Sequence, residues 1–561
     1  MRESAAGEDG VTINMLRLSS PEFQQALFAL VRRAWRQPEA WEPEAHRAIV
    51  LALFEKGDRA RLDNYRGICL LSIISRVVAR TISIRLMTHA ERHGVFRADQ
   101  WGFRPWRSTR DAILLARLLV EGATKAKTPE DMEHLVFSLL DIRKACPSVP
   151  RNAAWQVLRH RGVPEHVVTL LTHVRSDTEY RCRNQQGLSE PYHLYKGLRE
   201  GCPSSCVVYL YFHDVVLRDA VQQLTAAGHT GVTVRSPPAP PAALKPMPRE
   251  AHTRLRDSWD EVLVDLVCFA DDTALCGREG SVRERCQATA KVLADWREYV
   301  HPDKWHHLRL RHRLDSPVQE APWPRRRHTQ KRQTPFRAPY DEHVELLGAW
   351  LSADGSGSYD LGRRLKAARK LRYQVYRRLP RLGLTQRDKG RVFCTTVVAS
   401  LLYASETRCV RGLTLSEHFR IRDMKGRFTM ADLRKRAGVP SIPRLLGKRK
   451  LGYLGHLARY PASRIEQRVA FGVLEPEERA EGWLAVAQRR DRWRELVSKW
   501  EEQAVVKEES DCHAVRHAAR DAQAAADIPA PLLPPAAPVR RRLRGKQSPA
   551  AALAARPPSS R

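Results

Sequence analysis

Apolar runs of two kinds alternate along the chain. "RAIVLALFEKG" (47–57) and "HLVFSLLDI" (134–142) are unbroken and of strand length. "LVCFADDTAL" (266–275) is a third such run, split by two adjacent aspartates. "VVYLYFHDVVLRDAVQQL" (207–224) instead repeats its apolar residues three and four apart, which predicts a helix. "LTQRDKGRVFCTTVVASLLYASE" (384–406) opens on a capping box, Thr385 with Asp388 three residues on. Its Val392, Phe393, Val397, Val398, Leu401 and Leu402 then fall on one helical side. The pattern lapses in three places: the Pro/Ala-rich 235–250, the basic 321–339, and everything from about residue 525. The whole predicts an α+β body followed by a helical, very basic C-terminal third, with a disordered basic tail.

Composition narrows the partners. The 561 residues leave room for three or four compact bodies, and the 43% hydrophobic share supports real cores. Lys and Arg number 96 against 63 Asp and Glu, a net charge of +33 that calls for a polyanion. Nucleic acid comes first and an anionic membrane second. No run approaches the roughly 18 apolar residues of a spanning helix, and "MRESAAGEDG" lacks the layout of a signal peptide. An intracellular, non-membrane protein is expected. "RRRLRGK" in the tail reads as a nuclear address, a polyanion-binding patch or a solvated stretch. Eleven cysteines without zinc-ribbon spacing fit reduced thiols, and Cys512, His513 and His517 lack a complete ligand set.

Two sites place carboxylates at the ends of apolar runs: Asp141 after Leu139 and Leu140, and the pair Asp271–Asp272. Either alone reads as a strand-to-turn junction, where Asp closes an Asx-turn. Together they form an oxygen-rich set of the kind Mg²⁺ takes. Two such ions serve in-line phosphoryl transfer, and their charge would relieve the repulsion between the adjacent aspartates.

At these residues the chain resembles the reverse transcriptases of non-LTR (LINE-type) retrotransposons. The resemblance is serial and spans roughly residues 46–460. "ALFEKGDRARLDNYRGICLLSIISRVVARTISIRL" resembles the fingers segment, and "DQWGFRPWRSTRDAI" the block that faces the template. "LLDIRKACPSVP", "GLREGCPSS" and "VCFADDTAL" are similar to the first metal aspartate, the nucleotide loop and the paired aspartates. "ELLGAWLSADG" resembles the primer-grip turn, and "RKLGYLGHLARYP" a late element beyond the thumb.

The resemblance implies a right-hand polymerase whose palm is an antiparallel, ferredoxin-like sheet. Its parts would be an N-terminal extension (1–45), fingers (46–133), a palm (134–320) with an insertion at about 228–258, and a basic loop (321–339). A primer-grip-like turn (340–360), a helical thumb and connection (361–460), a helical C-terminal region (461–524) and the tail (525–561) would follow. It also implies two Mg²⁺ ions, with Mn²⁺ as a substitute, held by Asp141, Asp271, Asp272 and the carbonyl of Ile142. Lys56 and Arg66 would hold the incoming deoxynucleoside triphosphate, beside Cys146, Glu200 and Gly201. Lys304 would protonate departing pyrophosphate. Gln100, Phe103 and Arg104 would face the template, with Arg104 on backbone phosphate. Lys448, Arg449 and Lys450 would track an RNA template and DNA primer, contacts that are salt-dependent and sequence-independent.

The chain departs from the family pattern at three points. Cys146 replaces a bulky aromatic that crowds the 2′ position of the incoming sugar, so weakened exclusion of ribonucleotides is expected. Pro147 stands in place of an aspartate that is not a metal ligand. Glu200 replaces a glutamine and puts a carboxylate near nucleotide phosphate. These changes keep open an alternative, an impaired descendant that binds nucleic acid without polymerising. A maturase would need a splicing domain, of which "GWLAVAQRRDRWRELVSKWEEQ" gives no sign. With only 45 residues before the first block and no later RNase H-like carboxylate series, the chain is expected to be a fragment, a domesticated remnant or a truncated gene model.

Overall fold

The structure is a computed structural model and describes residues 5–40, 47–55, 57–124, 135–175, 178–236, 260–301, 305–310, 340–378, 383–407, 442–460, 464–465, 487 and 489–503. One compact unit extends to Ser498; of residues 499–561 only the helical 499–503 are described. The tail, the basic loop 321–339 and Cys512, His513 and His517 lie outside the described residues.

Helices α1 (Ile13–Leu18) and α2 (Pro21–Arg36) precede strands β1 (Ala48–Phe54) and β2 (Tyr65–Leu71). These two strands form an antiparallel pair with Ala48 opposite Leu71. Helices α3 (Ile73–Arg92) and α4 (Thr109–Thr124) lead to β3 (Leu135–Leu140). Three helices follow: α5 (Ala145–Ser148), α6 (Arg151–His160) and α7 (Glu165–His173). Next, β4 (Glu179–Asn184) runs parallel to β1 and antiparallel to β5 (Gly187–Leu188) and β6 (Tyr192–His193). A stretch within the expected palm span (134–320) thus joins the sheet that begins in the expected fingers span (46–133).

Helix α8 (Ser205–Ala226) is followed by a hairpin of β7 (Val232–Ser236) and β8 (Asp260–Val264). The expected insertion is the end of this hairpin, and 237–259 lie outside the described residues. Then come β9 (Leu266–Phe269), β10 (Asp272–Arg278), α9 (Val282–Asp295) and β11 (His306–Arg309). These strands make a sheet of order β11-β3-β10-β9, antiparallel throughout. Numbered by chain order that is 4-1-3-2, the ferredoxin-like arrangement expected of a palm.

Both faces of this sheet are dry. Leu135, Phe137, Val267, Ala274 and Cys276 enter one core; Leu140, Leu266, Cys268 and Leu275 enter the other. Enclosure on both sides is why these strands read as unbroken apolar runs rather than as an alternation. Each large side chain so buried contributes about 1.5–3 kcal/mol.

A tight hairpin of β12 (His343–Leu346) and β13 (Ala349–Ser352) turns through Leu347 and Gly348, both at positive φ. It falls where the primer-grip turn was expected. Helices α10 (Ser358–Arg378), α11 (Gln386–Phe393) and α12 (Ile442–Arg459) follow, and residues 490–503 are helical. Thr385 caps α11 as expected, accepting from the Asp388 amide at 3.2 Å. The helix then continues through a π turn, Cys394–Val398, that buries Val397 and Val398.

Candidate active site

The paired aspartates sit at the tip of the β9–β10 hairpin. Asp272 pairs with Phe269, which leaves Ala270 and Asp271 as the turn. Ala270 takes a φ of 58°, a left-handed conformation costly for a residue with a Cβ. A clamp from the fingers holds it there. Gln100 Oε1 accepts from the amides of Ala270 and Gly102, both at 2.8 Å, while its Nε2 donates to the Ala270 carbonyl at 3.2 Å. Gly102 lies so close that a Cβ there would meet the Ala270 nitrogen at 2.2 Å.

The β3–β10 register brings in the third carboxylate. The ladder ends with Thr273 opposite Leu140, so Asp141 follows and Asp272 precedes its last pair, and Asp141 acts on the charges of both Asp271 and Asp272. On its other edge this segment bonds to the strand end at 299–301: His301 N donates to Asp141 O at 2.8 Å and Arg143 N to Tyr299 O at 2.7 Å. Backbone alternation then directs the Ile142 carbonyl toward the aspartate turn.

The electrostatics match this convergence. Burial, then Asp271 and Asp141, push the Asp272 carboxyl up to about 6. Asp271 is also raised, by burial first and by Asp141, against the opposing pull of its own backbone hydrogen bond, His213 and Arg66. Among the described residues no three His, Cys, Asp or Glu side chains stand close enough to form a closed metal cage. The donor chemistry still fits a hard divalent cation: carboxylate oxygens on adjoining strand ends, with repulsion that the chain leaves partly unrelieved.

Arg66 on β2 faces the same site. It is held by Glu55 at 2.9 Å and lies 3.9 Å from Glu200. Burial, then Glu55 and Asp271, raise the Glu200 carboxyl despite Arg66. The next residue, Gly201, has φ 97°, and a Cβ there would meet the Cys69 carbonyl at 2.6 Å. Cys69 in turn donates its amide to Glu200 O at 2.7 Å, so this loop is sewn onto β2. Cys146 packs against the palm core; burial raises its thiol, with Cys206, Asp271 and Glu200 adding to the effect. Lys56 and Lys304 lie outside the described residues.

Arg104 departs from expectation. It is 8% exposed and forks onto Glu91 at 2.6 and 2.9 Å. Its remaining nitrogen donates to the carbonyls of Arg97 and Gln100. The guanidinium is therefore spent inside the fold, where it braces the Gln100 clamp rather than meeting template phosphate. Of Lys448, Arg449 and Lys450 on α12, Arg449 donates to Leu402 O at 2.6 Å and Lys448 is exposed.

Two further groups bear on the site without any signal in the sequence. His213 on α8 bonds Glu298 at 2.7 Å, both wholly buried, and its charge lowers Asp271. Asp111, 0% exposed, accepts from Tyr453 and Tyr460 and so ties the template-block helix α4 to α12 and the residues just after it.

A family model described as reverse transcriptase (RNA-dependent DNA polymerase) matches residues 54–351, more than half of the chain. The chain belongs to the reverse transcriptase family. The chain is 28% identical over 292 residues to the "Transposon TX1 uncharacterized 149 kDa protein" of Xenopus laevis. That match covers 51% of this chain but 19% of the relative, so the chain spans about a fifth of the relative's length. Among solved structures it is similar to apo telomerase from Candida tropicalis, at TM-score 0.39 and 9% identity over 84% of this chain and 71% of that one. The same telomerase with a TWJ fragment of telomeric RNA gives 0.38 and 9%, over 80% and 68%. No helix among the described residues is long and apolar enough to cross a membrane.

Proposed function

We propose that the chain is the RNA-directed DNA polymerase of a non-LTR retrotransposon, extending a primer 3′-hydroxyl with deoxynucleoside triphosphates along an RNA template. One observation supports this reading: the β3–β10 ladder ends at Leu140 and Thr273, next to Asp141 and Asp272, and Asp141 helps to raise the carboxyls of Asp271 and Asp272. A relative described as a transposon protein supports the retrotransposon origin.

In this reading Asp141, Asp271, Asp272 and the Ile142 carbonyl hold two Mg²⁺ ions, with Mn²⁺ as a substitute. Bound there, the ions supply activation of the primer hydroxyl and neutralisation of leaving-group charge. Arg66 grips triphosphate oxygens once released from Glu55, and Lys56 adds a point charge. Cys146 floors the sugar site, Gly201 lets the Glu200 loop press on β2, and Lys304 protonates pyrophosphate. Lys448, Arg449 and Lys450 follow the template–primer backbone. The fixed hairpin supplies positioning, which is most of what phosphoryl transfer asks of a protein.

Primer extension on an RNA template tests the proposal. Wild type should extend, and Asp271→Ala/Asp272→Ala should abolish extension while retaining template affinity. A second reading has one specific observation behind it, the capture of Arg66 between Glu55 and Glu200. A binding protein that no longer polymerises would show unimpaired RNA affinity and no extension by the wild type.

A further inference from the structure

The loop that clamps the aspartate turn also carries two aromatic side chains in an unusual state. Phe103 and Trp106 have φ of 56° and 60°, in the left-handed region that bulky residues rarely enter. Both point outward, Phe103 52% and Trp106 90% exposed. Leaving an indole in water forfeits its burial energy, and left-handed backbone is strained for a residue with a Cβ. Such a conformation persists only where the surroundings over-determine it.

They do so here from beneath. Arg464 Nη1 donates to the Trp106 carbonyl at 3.0 Å, and Arg107 Nη1 to Ala98 O at 2.7 Å. The Arg104–Glu91 fork anchors the middle of the loop. At its start, Trp101 N donates to Cys268 O at 2.9 Å, on β9, the strand that leads into the aspartate turn. The loop is thus rigid, strained and fixed to the catalytic hairpin, and its two large rings face solvent.

We infer that Phe103 and Trp106 form a stacking platform for unpaired bases of the single-stranded template as it approaches the aspartate turn. Every base offers a π face, so stacking suits a strand of arbitrary sequence, and rigid aromatics bind with little ordering cost. The net charge of +33 supplies the attraction for the phosphates. The strand's identity as template rests on the polymerase reading; the stacking itself does not.

Trp106→Gly separates binding from folding, because glycine enters the left-handed region freely. The variant should melt at or above the wild-type temperature. Its affinity for a fluorescent oligouridine strand, read by anisotropy at fixed salt, should fall about 5- to 100-fold, the range that loss of one stacked base gives. On an abasic strand of equal length, with phosphates and no bases, wild type and variant should bind alike. Trp106→Asn, which also tolerates this backbone, should repeat the result if the glycine variant folds poorly. Equal affinity for oligouridine would overturn the inference and leave the rings to a protein partner. An equal loss on the abasic strand would overturn it too, by pointing to phosphate contact. Wild-type primer extension is scored in parallel: its absence sinks the polymerase assignment without touching the oligouridine comparison.

Discussion

The loop Gly197–Ser204 runs between two clusters of like charge that are held in opposite ways. On one side Glu200 lies toward Arg66 and Asp271, where burial and acidic neighbours raise the carboxyls of Asp271, Asp272 and Glu200. On the other, Arg175 and Arg199 are 1% and 3% exposed, with no carboxylate partner among the described residues. Arg175 donates to Ser204 Oγ at 2.8 Å, lies 4.0 Å from Cys202 Sγ and sits over the Trp155 ring at 5.5 Å. Burial lowers its guanidinium to about 10. Burial also works to raise the Cys202 thiol, but Arg175, Arg199 and Ser204 bring it below its usual range. The positive cluster is answered in part within the fold, by a hydroxyl, a ring, carbonyls and a thiol, while Arg175 Nε and Arg199 Nε and Nη1 are buried without a hydrogen-bond partner. The negative cluster is opposed by Arg66, His213 and a backbone hydrogen bond, yet its carboxyls stay raised, and the proposed cations would supply the further compensation. Like charge gathered in a fold marks a binding site where its compensation lies outside the chain.

Removing charge from the two clusters should therefore act with opposite sign. Arg175→Met should destabilise the protein by about 1–3 kcal/mol, read as the urea midpoint, because the hydrogen bond to Ser204 and the place over the Trp155 ring are lost, with a partial offset from removing a guanidinium whose charge burial disfavours. Combining it with Cys202→Ala tests the pairing. If thiolate and guanidinium are charge partners, the double variant loses clearly less than the sum of the singles. Strict additivity would make Cys202 a bystander.

At the catalytic end the effect reverses. Asp272→Asn should stabilise the metal-free protein by roughly 1 kcal/mol at neutral pH, the shift being discounted because the side chain reaches solvent. The sign follows from the raised carboxyl. Above about pH 6 the folded Asp272 is ionised at a cost that the unfolded chain does not bear. Between about 6 and the ordinary 3.8 that cost fades, and below it both states are protonated. The gap between variant and wild type should be widest at pH 7 and vanish near pH 4. Mg²⁺ should close it from the other side by stabilising only the wild type, and a gap indifferent to both pH and Mg²⁺ would break the comparison.

The palm was legible in the sequence because a sheet covered on both faces writes its strands as unbroken apolar runs, and because Asp141 and Asp271–Asp272 end two of them. Side-chain engagement was not. "QWGFRPWRST" shows a glutamine and an arginine in a block that resembles a template-facing one, but nothing local says that Glu91, a helix away, captures Arg104. Nor does it say that Gln100 turns inward onto Ala270. The same limit hid β4: its parallel pairing with β1 joins Ala48 to Tyr180, a contact no local pattern encodes. Backbone strain at Trp106 is likewise invisible in composition, since tryptophan is the last residue that a left-handed turn would suggest.

The smallest effect concerns the boundary between the clusters. In the proposed polymerase Glu200 would compete with incoming phosphate for Arg66, and at 3.9 Å on a half-exposed guanidinium that competition would be worth about 0.2–1 kcal/mol. Glu200→Gln should lower the KM for deoxynucleotide by up to about five-fold and leave kcat near the wild-type value, since the change affects ground-state grip alone. Because the Glu200 carboxyl is raised above its ordinary range, acidification should neutralise it early. Wild-type KM should then approach that of the variant as pH falls. Glu55→Gln, which frees Arg66 from its closer partner at 2.9 Å, should act in the same direction and at least as strongly. A KM that rises in both variants would mean that the two glutamates hold Arg66 in its productive pose. The site's negative charge would then be part of the nucleotide cradle rather than a competitor with it.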